Sequence, residues 1–352
     1  MALMTPEDRA CFSIEVEDVN WEKYMYDFCW GLQKFVLKED VPPWEMKSTL
    51  KVPHHFGADL QFALEGGSRG LTPVFDAPPT PESIVRNSRV QAQVAKMAEQ
   101  TGRSVAQIEA EATAKYKKMR ARLSMPCIRL FAYVFPKIYR CIYDEILVDK
   151  EGIDKLRHVV AKGPVIFLPT HRSYIDFLII SYVTFANRLP VPNIAAAEVF
   201  LKMGPLTGLL RGAGAFFLSR GGGMTELDRV ILDIYVAALV RSSPMLEFFM
   251  EGTRSRSGKT LTPRRGMIEM VLNTVLAGQI PNAYIVPVTI NYEKTLEVDA
   301  IAHELKGGAK TAESFTGAIK GGMKAMKQNF GSVKVCFGDA VSVQVSRNGT
   351  RA

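Results

Sequence analysis

A chain of 352 residues exceeds one small domain, and its 47% hydrophobic share supports a sizeable core. The net charge of +8 favours anionic partners such as a phosphorylated metabolite, coenzyme A, an anionic bilayer or nucleic acid, without choosing among them. The five cysteines, Cys11, Cys29, Cys127, Cys141 and Cys336, are odd in number and free of CxxC spacing, which points to a reducing compartment and away from a disulfide framework or zinc knuckle. No HExxH metal motif occurs, and His54-His55 reads as a surface loop pair.

At the N-terminus, Glu7, Asp8, Glu15 and Glu17 interrupt any apolar leader, so a secretory signal is not expected. Residues 1–65 mix aromatics with acids and prolines and predict a short helix near 20–38 and little else. Gly66-Gly67-Ser68-Arg69-Gly70 matches the G-x-S-x-G of a nucleophile elbow, but it runs into Leu71-Thr72-Pro73 and a Pro-rich stretch instead of a helix. It reads as a linker.

Thr80 as N-cap with Pro81 at the first position predicts a helix that runs to Gly102. Ser104 and Gln107 form a capping box ahead of a second helix carrying Lys115, Lys117, Lys118, Arg120 and Arg122, a run expected on a solvated face. Pro126 opens a third, in which Ile128, Leu130, Phe131, Val134, Phe135, Ile138, Tyr139 and Ile142 alternate with Arg129, Lys137 and Arg140. That helix either packs on the domain that follows or lies in a bilayer interface, with packing preferred.

From about residue 150, short apolar runs alternate with helical segments, the pattern of an α/β domain whose central sheet is largely parallel and flanked by helices. Strands are predicted at Val165–Leu168, Asn193–Ala196, Ala215–Leu218, Leu246–Met250, Tyr284–Ile290 and Val333–Phe337. The organisation read from these elements is an irregular region 1–80, a helical region 81–148 with possible membrane contact, the α/β domain 149–345 and a tail 346–352. The uncharged window Met270–Tyr292 contains Asn273, Gly278, Pro281 and Pro287, so it divides into helix, turn and strand instead of spanning a membrane.

Chemistry gathers at the strand ends, where parallel sheets hold ligands. His171-Arg172-Ser173-Tyr174-Ile175-Asp176 follows the first strand, and His171 with Asp176 is suited to act as general base and orienter. On an ideal helix residues five apart are rotated about 140° from each other, so the two meet only if His171 lies in the turn before the helix. A loop histidine beside a helix with an early Asp is the competing reading. The helix after it, Tyr174 to Phe185, is apolar nearly all round and is expected to be buried or membrane-facing. Gly204, Gly208 and Gly212 strip one face of another helix, for close packing or for the approach of an acyl chain or pantetheine arm.

Arg220, at the end of the third predicted strand and followed by three glycines, is placed to hold an anion. After the fourth strand, Arg254, Arg256 and Lys259 suit a phosphate monoester, with Glu251 offering a carboxylate to brace an arginine. The loop from Gly252 to Thr260 evokes a P-loop but has one residue too many before Gly258-Lys259-Thr260, which argues against a nucleotide-dependent phosphotransferase. Pro287 interrupts the fifth strand, where it cannot donate to the ladder.

Taken together, His171-x4-Asp176, Gly214-x2-Phe217-Leu218-x-Arg220, Phe249-Met250-Glu251-Gly252-Thr253-Arg254-Ser255-Arg256 and Ile285-Val286-Pro287-Val288 resemble the four ordered motifs of glycerolipid acyltransferases over about residues 145 to 340. Leu189-Pro190-Val191-Pro192 and Lys259-Thr260-Leu261-Thr262-Pro263 are similar to the branch that acylates dihydroxyacetone phosphate, with glycerol 3-phosphate as the alternative acceptor. The resemblance implies that His171, held by Asp176, removes the proton of the acceptor's primary hydroxyl, which attacks a long-chain acyl-CoA; no cofactor is implied. It further implies that Arg220, Glu251, Gly252, Thr253, Arg254, Arg256 and Lys259 bind the phosphorylated acceptor, and that Pro287 shapes the acyl-CoA side. Implied partners are acyl-CoA, the acceptor, a membrane surface and the next enzyme of ether-lipid synthesis, with no nucleic acid, and the implied location is the peroxisome, peripheral to its membrane. Ser219 stands where a second arginine is expected, and the end at Ala352 lacks a peroxisomal tripeptide. A truncated chain acting as a non-catalytic membrane scaffold is the alternative of another class.

Overall fold

The computed structural model describes residues 38, 49–51, 59–66, 76, 78–219, 224–255, 259–297 and 328–344. The helix expected at 20–38, most of the 66–70 glycine segment, Arg220 and Arg256 lie outside the described residues. Contacts within the chain group Ser48–Ala352 as one unit.

Among the described residues nine strands form one sheet: β1 Thr49–Lys51, β2 Glu145–Asp149, β3 Val165–Pro169, β4 Asn193–Ala197, β5 Ala215–Leu218, β6 Met245–Glu247, β7 Tyr284–Tyr292, β8 Ser332–Phe337 and β9 Val341–Ser342. Their order is β1-β2-β8-β7-β3-β6-β4-β5, with β9 beside β7. The stretch β7-β3-β6-β4-β5 is parallel throughout, as is β2 with β8, while β8 and β9 run antiparallel to β7 and β1 to β2. The parallel pairing brings the ends of β3, β5 and β6 to one edge.

The flanking helices are α1 Asp59–Glu65, α2 Pro81–Val85, α3 Ser88–Thr101, α4 Val105–Met119, α5 Met125–Ile142, α6 Lys150–Val160, α7 Asp176–Ala186, α8 Pro205–Gly212, α9 Glu226–Ser242 and α10 Gly266–Leu276. They cover both faces, and the strand residues divide accordingly. Val165, Phe167, Met245, Val286 and Val288 pack with α5, α6 and α7, whereas Ile166, Phe216 and Leu246 pack with α2, α3, α4, α9 and α10. Alternate residues facing opposite layers make these strands near-continuous apolar runs, which is why they were legible as strands.

Several expectations needed correction. The helix expected from Thr80 to Gly102 is two, because Asn87 turns out of the helical region and caps Arg89 N at 3.0 Å. The fourth strand ends at Glu247 instead of Met250, since Phe248–Glu251 leaves the sheet to form the arginine loop. Region 1–65 supplies more than one short helix: β1 pairs with β2, and Phe62 and Ala63 of α1 pack with Ile128, Ala132 and Phe185. The basic run on α4 is not all solvated, because Lys115 pairs with Asp228 at 2.8 Å and Lys118 pairs with Glu198. Pro287 falls where β7 passes from β9 to β8, so its missing N–H costs no ladder bond there.

Of the three spaced glycines, only Gly212 approaches a neighbour: a Cβ there would lie 2.4 Å from Cys127 Sγ, so α8 seats against α5 at that point. Positions 204 and 208 face open space. Helix α7 has buried residues along most of its length, including Ile179, Ile180, Val183 and Phe185. No helix among the described residues is long and apolar enough to cross a membrane.

Candidate active site

Thr170 N donates to Val288 O at 3.0 Å and Ile290 N donates to Thr170 Oγ1 at 3.2 Å, so the chain stays stitched to β7 one residue beyond β3. It is then released at the sheet edge. His171 lies in the turn before α7, which starts at Asp176 and not at Tyr174 as the sequence suggested. His171 Nδ1 sits 2.8 Å from Asp176 Oδ2, and the same oxygen accepts Arg172 N at 2.7 Å and Ser173 N at 2.9 Å. The fully buried carboxylate thus wraps the turn that carries the imidazole. An acceptor already facing amide donors requires Nδ1 to carry the ring proton, which puts the lone pair on Nε2. The ring stacks on Phe249 at 4.1 Å and keeps 12% of its side chain exposed, so it can meet a substrate.

Among the described residues, Glu251 holds two backbones. Its Oε1 accepts His171 N at 2.9 Å and its Oε2 accepts Leu261 N at 3.0 Å, while Ser255 N donates to His171 O at 3.0 Å. The histidine turn and the arginine loop are therefore joined on both sides. Gly252 has φ +68°, a conformation that favours glycine, and the Arg264 side chain lies against it, with Cδ 2.8 Å from where a Cβ would sit.

Arg254 lies 3.4 Å over the Tyr174 ring and 3.7 Å from Glu297 Oε1. Glu297 also accepts Ser173 Oγ at 2.9 Å and Tyr174 N at 2.7 Å. Burial pushes its carboxyl above the ordinary range, with Arg254 pulling the other way. Thr253 and Lys259 are exposed on the same loop. Pro287 is not brought into this cluster, since it lies part-way along β7, with Gly338 N donating to its carbonyl at 2.8 Å. At the end of β5, Ser219 donates to Glu198, the carboxylate that also pairs with Lys118.

An apolar cleft opens between α5, α7, α8 and the starts of β4 and β5, lined by residues including Ile128, Phe131, Phe177, Leu178, Ile194 and Ala213. Phe177 and Leu178 directly follow Asp176, so the cleft begins within one helical turn of the histidine's partner.

Three groups at the site, two of them buried carboxyls, carried no signal in the sequence. Tyr292 Oη donates to Asp176 Oδ1 at 2.6 Å, and Glu297 orders the histidine turn as described. The third, Glu247, is fully buried between Phe167 of β3 and Ile194 of β4, and neither carboxyl oxygen has a partner among the described residues. Burial, and secondarily the charge of Asp176, push its carboxyl far above the usual range. Only long-range strand pairing assembles these contacts, so no local motif could have found them.

Residues 148–291 match the acyltransferase family model, and residues 302–349 match the model of the glycerol-3-phosphate acyltransferase C-terminal region. Over these residues the chain matches the acyltransferases that the two models describe. Within them it is similar to the dihydroxyacetone phosphate acyltransferases of Mus musculus, at 37% identity over 313 residues, and of Homo sapiens, at 35% over 305 residues. These alignments cover 87% and 85% of this chain but 46% and 44% of the relatives, so the chain spans about half the length of the curated relatives it matches. Human mitochondrial glycerol-3-phosphate acyltransferase 1 is 30% identical over 279 residues, covering 75% of this chain and 34% of that protein. Among solved structures, the 1-acyl-sn-glycerophosphate acyltransferase of Thermotoga maritima aligns with a TM-score of 0.37 at 16% identity, over 78% of this chain and 90% of that one.

Proposed function

We propose that the protein transfers a long-chain acyl group from acyl-CoA to the primary hydroxyl of dihydroxyacetone phosphate, with glycerol 3-phosphate as the alternative acceptor. The observation that carries this reading is the pairing of His171 with buried Asp176 at 2.8 Å, beside a loop that presents Arg254. His171 Nε2 takes the hydroxyl proton while the oxygen attacks the thioester carbonyl. The tetrahedral intermediate then expels the coenzyme A thiolate, which recovers the proton from Nε2 to give the acyl ester and free thiol. No protein nucleophile and no cofactor beyond acyl-CoA enter this cycle.

In this reading the arginine loop holds the phosphate of the acceptor, with Arg254 presented by Tyr174 and Glu297, and Arg220 and Arg256 supply further charge. Gly252 and Thr253 shape that loop, and Lys259 closes it. Glu251 serves both partners by tying the loop to the base. The apolar cleft receives the acyl chain, and Pro287 contributes to the acyl-CoA side. The exposed face of α5 rests on a membrane surface, and the region 149–345 works as the catalytic domain. A peroxisomal location, and hand-over of the product to the next enzyme of ether-lipid synthesis, belong to the same proposal.

The test is an assay of the chain with long-chain acyl-CoA and each acceptor in turn, read by product identity and thiol release. Acylation of dihydroxyacetone phosphate in preference to glycerol 3-phosphate is expected, and the reverse preference would move the chain to the alternative acceptor. His171→Ala should retain its circular dichroism spectrum and lose roughly 10²- to 10⁴-fold in kcat. A folded variant with near-normal turnover would overturn the role of the histidine.

A further inference from the structure

Asp176 is the hub of the site, and its two oxygens are served very differently. Oδ2 faces the imidazole and two amides from its own turn, all within five residues. Oδ1 accepts the hydroxyl of Tyr292, which arrives from the far end of β7, 116 positions along the chain. A buried carboxylate needs donors on both oxygens to remain ionised and fixed in orientation. The local turn satisfies one oxygen, and the strand of the fourth motif supplies the other.

Resting on the function proposed above, we infer that Tyr292 is a positioning residue for acyl transfer: its hydroxyl anchors Asp176 from the sheet, and through Asp176 it sets the angle and basicity of His171. The contact has three physical consequences. The donor is short at 2.6 Å and terminates on an anion, the stronger class of hydrogen bond. Burial first, and then Asp176 itself, hold the phenol well above its ordinary pKa, so the group stays a donor across the working range. Its ring lies 6.1 Å from that of Tyr143, so the hydroxyl can be removed while the aromatic packing stays in place.

The other groups facing Asp176 are His171 in the turn, Tyr139 and Tyr143 from the end of α5, Glu247 from β6 and Glu297 beyond β7. The tyrosine hydroxyls of α5 have no hydrogen-bond partner among the described residues, and both glutamates are pushed toward the protonated form. Tyr292 is thus the donor that serves Oδ1. Without it, the carboxylate leans harder on Nδ1–H, which stabilises the imidazolium and raises the pKa of His171.

The experiment compares wild type with Tyr292→Phe and Tyr143→Phe. Tyr292→Phe should lower kcat roughly tenfold to a hundredfold while leaving KM for both substrates within about twofold, as expected for loss of a hydrogen bond to a charged group. The acid limb of its kcat/KM profile should move to higher pH. Tyr143→Phe removes a neighbouring hydroxyl that does not touch Asp176, and should keep the wild-type limb. A histidine-ring NMR titration, with the His171 signal identified by its loss in His171→Ala, should show the same upward shift in Tyr292→Phe only, and this readout needs no turnover. An unchanged His171 titration in folded Tyr292→Phe, or equal shifts in both tyrosine variants, would overturn the inference. Absence of acyl transfer by wild type with either acceptor would overturn the proposed function instead, and the NMR comparison would still decide the role of Tyr292.

Discussion

Glu247 shows how a single side chain can bias the whole site. A carboxyl placed in the sheet with no hydrogen-bond partner among the described residues, near the charge of Asp176, favours its neutral form, and its raised pKa makes folding depend on pH. Between the ordinary glutamate range and its folded value, the native state binds the proton and the unfolded chain does not, so stability falls as pH rises through that window. Glu247→Gln keeps the shape of the neutral form and removes the titration. Urea denaturation should therefore find the variant close to wild type near pH 5 and more stable than wild type near pH 8; parallel pH dependences would refute this account. Residues such as Glu247, Tyr292 and Glu297 were invisible to sequence reasoning for a physical reason. Tyr292 meets Asp176 across 116 positions and Glu297 meets Ser173 across 124, and a lone acid or tyrosine gives no sign of the partner that folding brings to it. His171 and Asp176 were legible because both lie in one turn, where spacing alone constrains geometry.

The strands that carry the site could be read because their residues face two apolar layers, and they ended where polar residues collected. What escaped was short or irregular. Strand β2 is a five-residue run that begins with Glu145 and ends with Asp149, and β1 and β9 have three and two residues, too few for a period to show. The arginine loop was recognised by composition, but its support was not, since Glu251 spends both oxygens on backbone amides. Helix α8 presents the clearest element-scale test. It leads into Ala213, which lines the apolar cleft, and enlarging that position removes volume without touching the base. Ala213→Phe should shift acyl-CoA preference toward shorter chains, measured as the ratio of rates for long and medium donors, with little change in KM for the acceptor. An unaltered ratio in a folded variant would show that the cleft does not receive the acyl chain.

Across the molecule, α5 has two working faces. Ile128, Ala132, Tyr139 and Ile142 are buried against the α/β unit, while Leu130, Tyr133 and Val134 stay exposed with Lys137 held over the Tyr133 ring at 3.1 Å. Packing and surface contact, which competed in the sequence, are thus available to opposite sides of one helix. Leu130→Glu combined with Val134→Glu should weaken sedimentation with anionic vesicles at low salt and leave the fold intact, and equal sedimentation would place the contact elsewhere. A different consequence follows from the carboxylate of Glu251, which grips the histidine turn with one oxygen and closes the base of a ten-residue lasso with the other. Under the proposed function, any change that pulls on the arginine loop is therefore felt through the same side chain that holds the histidine turn. Acceptor binding and proton transfer would then be mechanically coupled, so that slackening the loop also slackens the base.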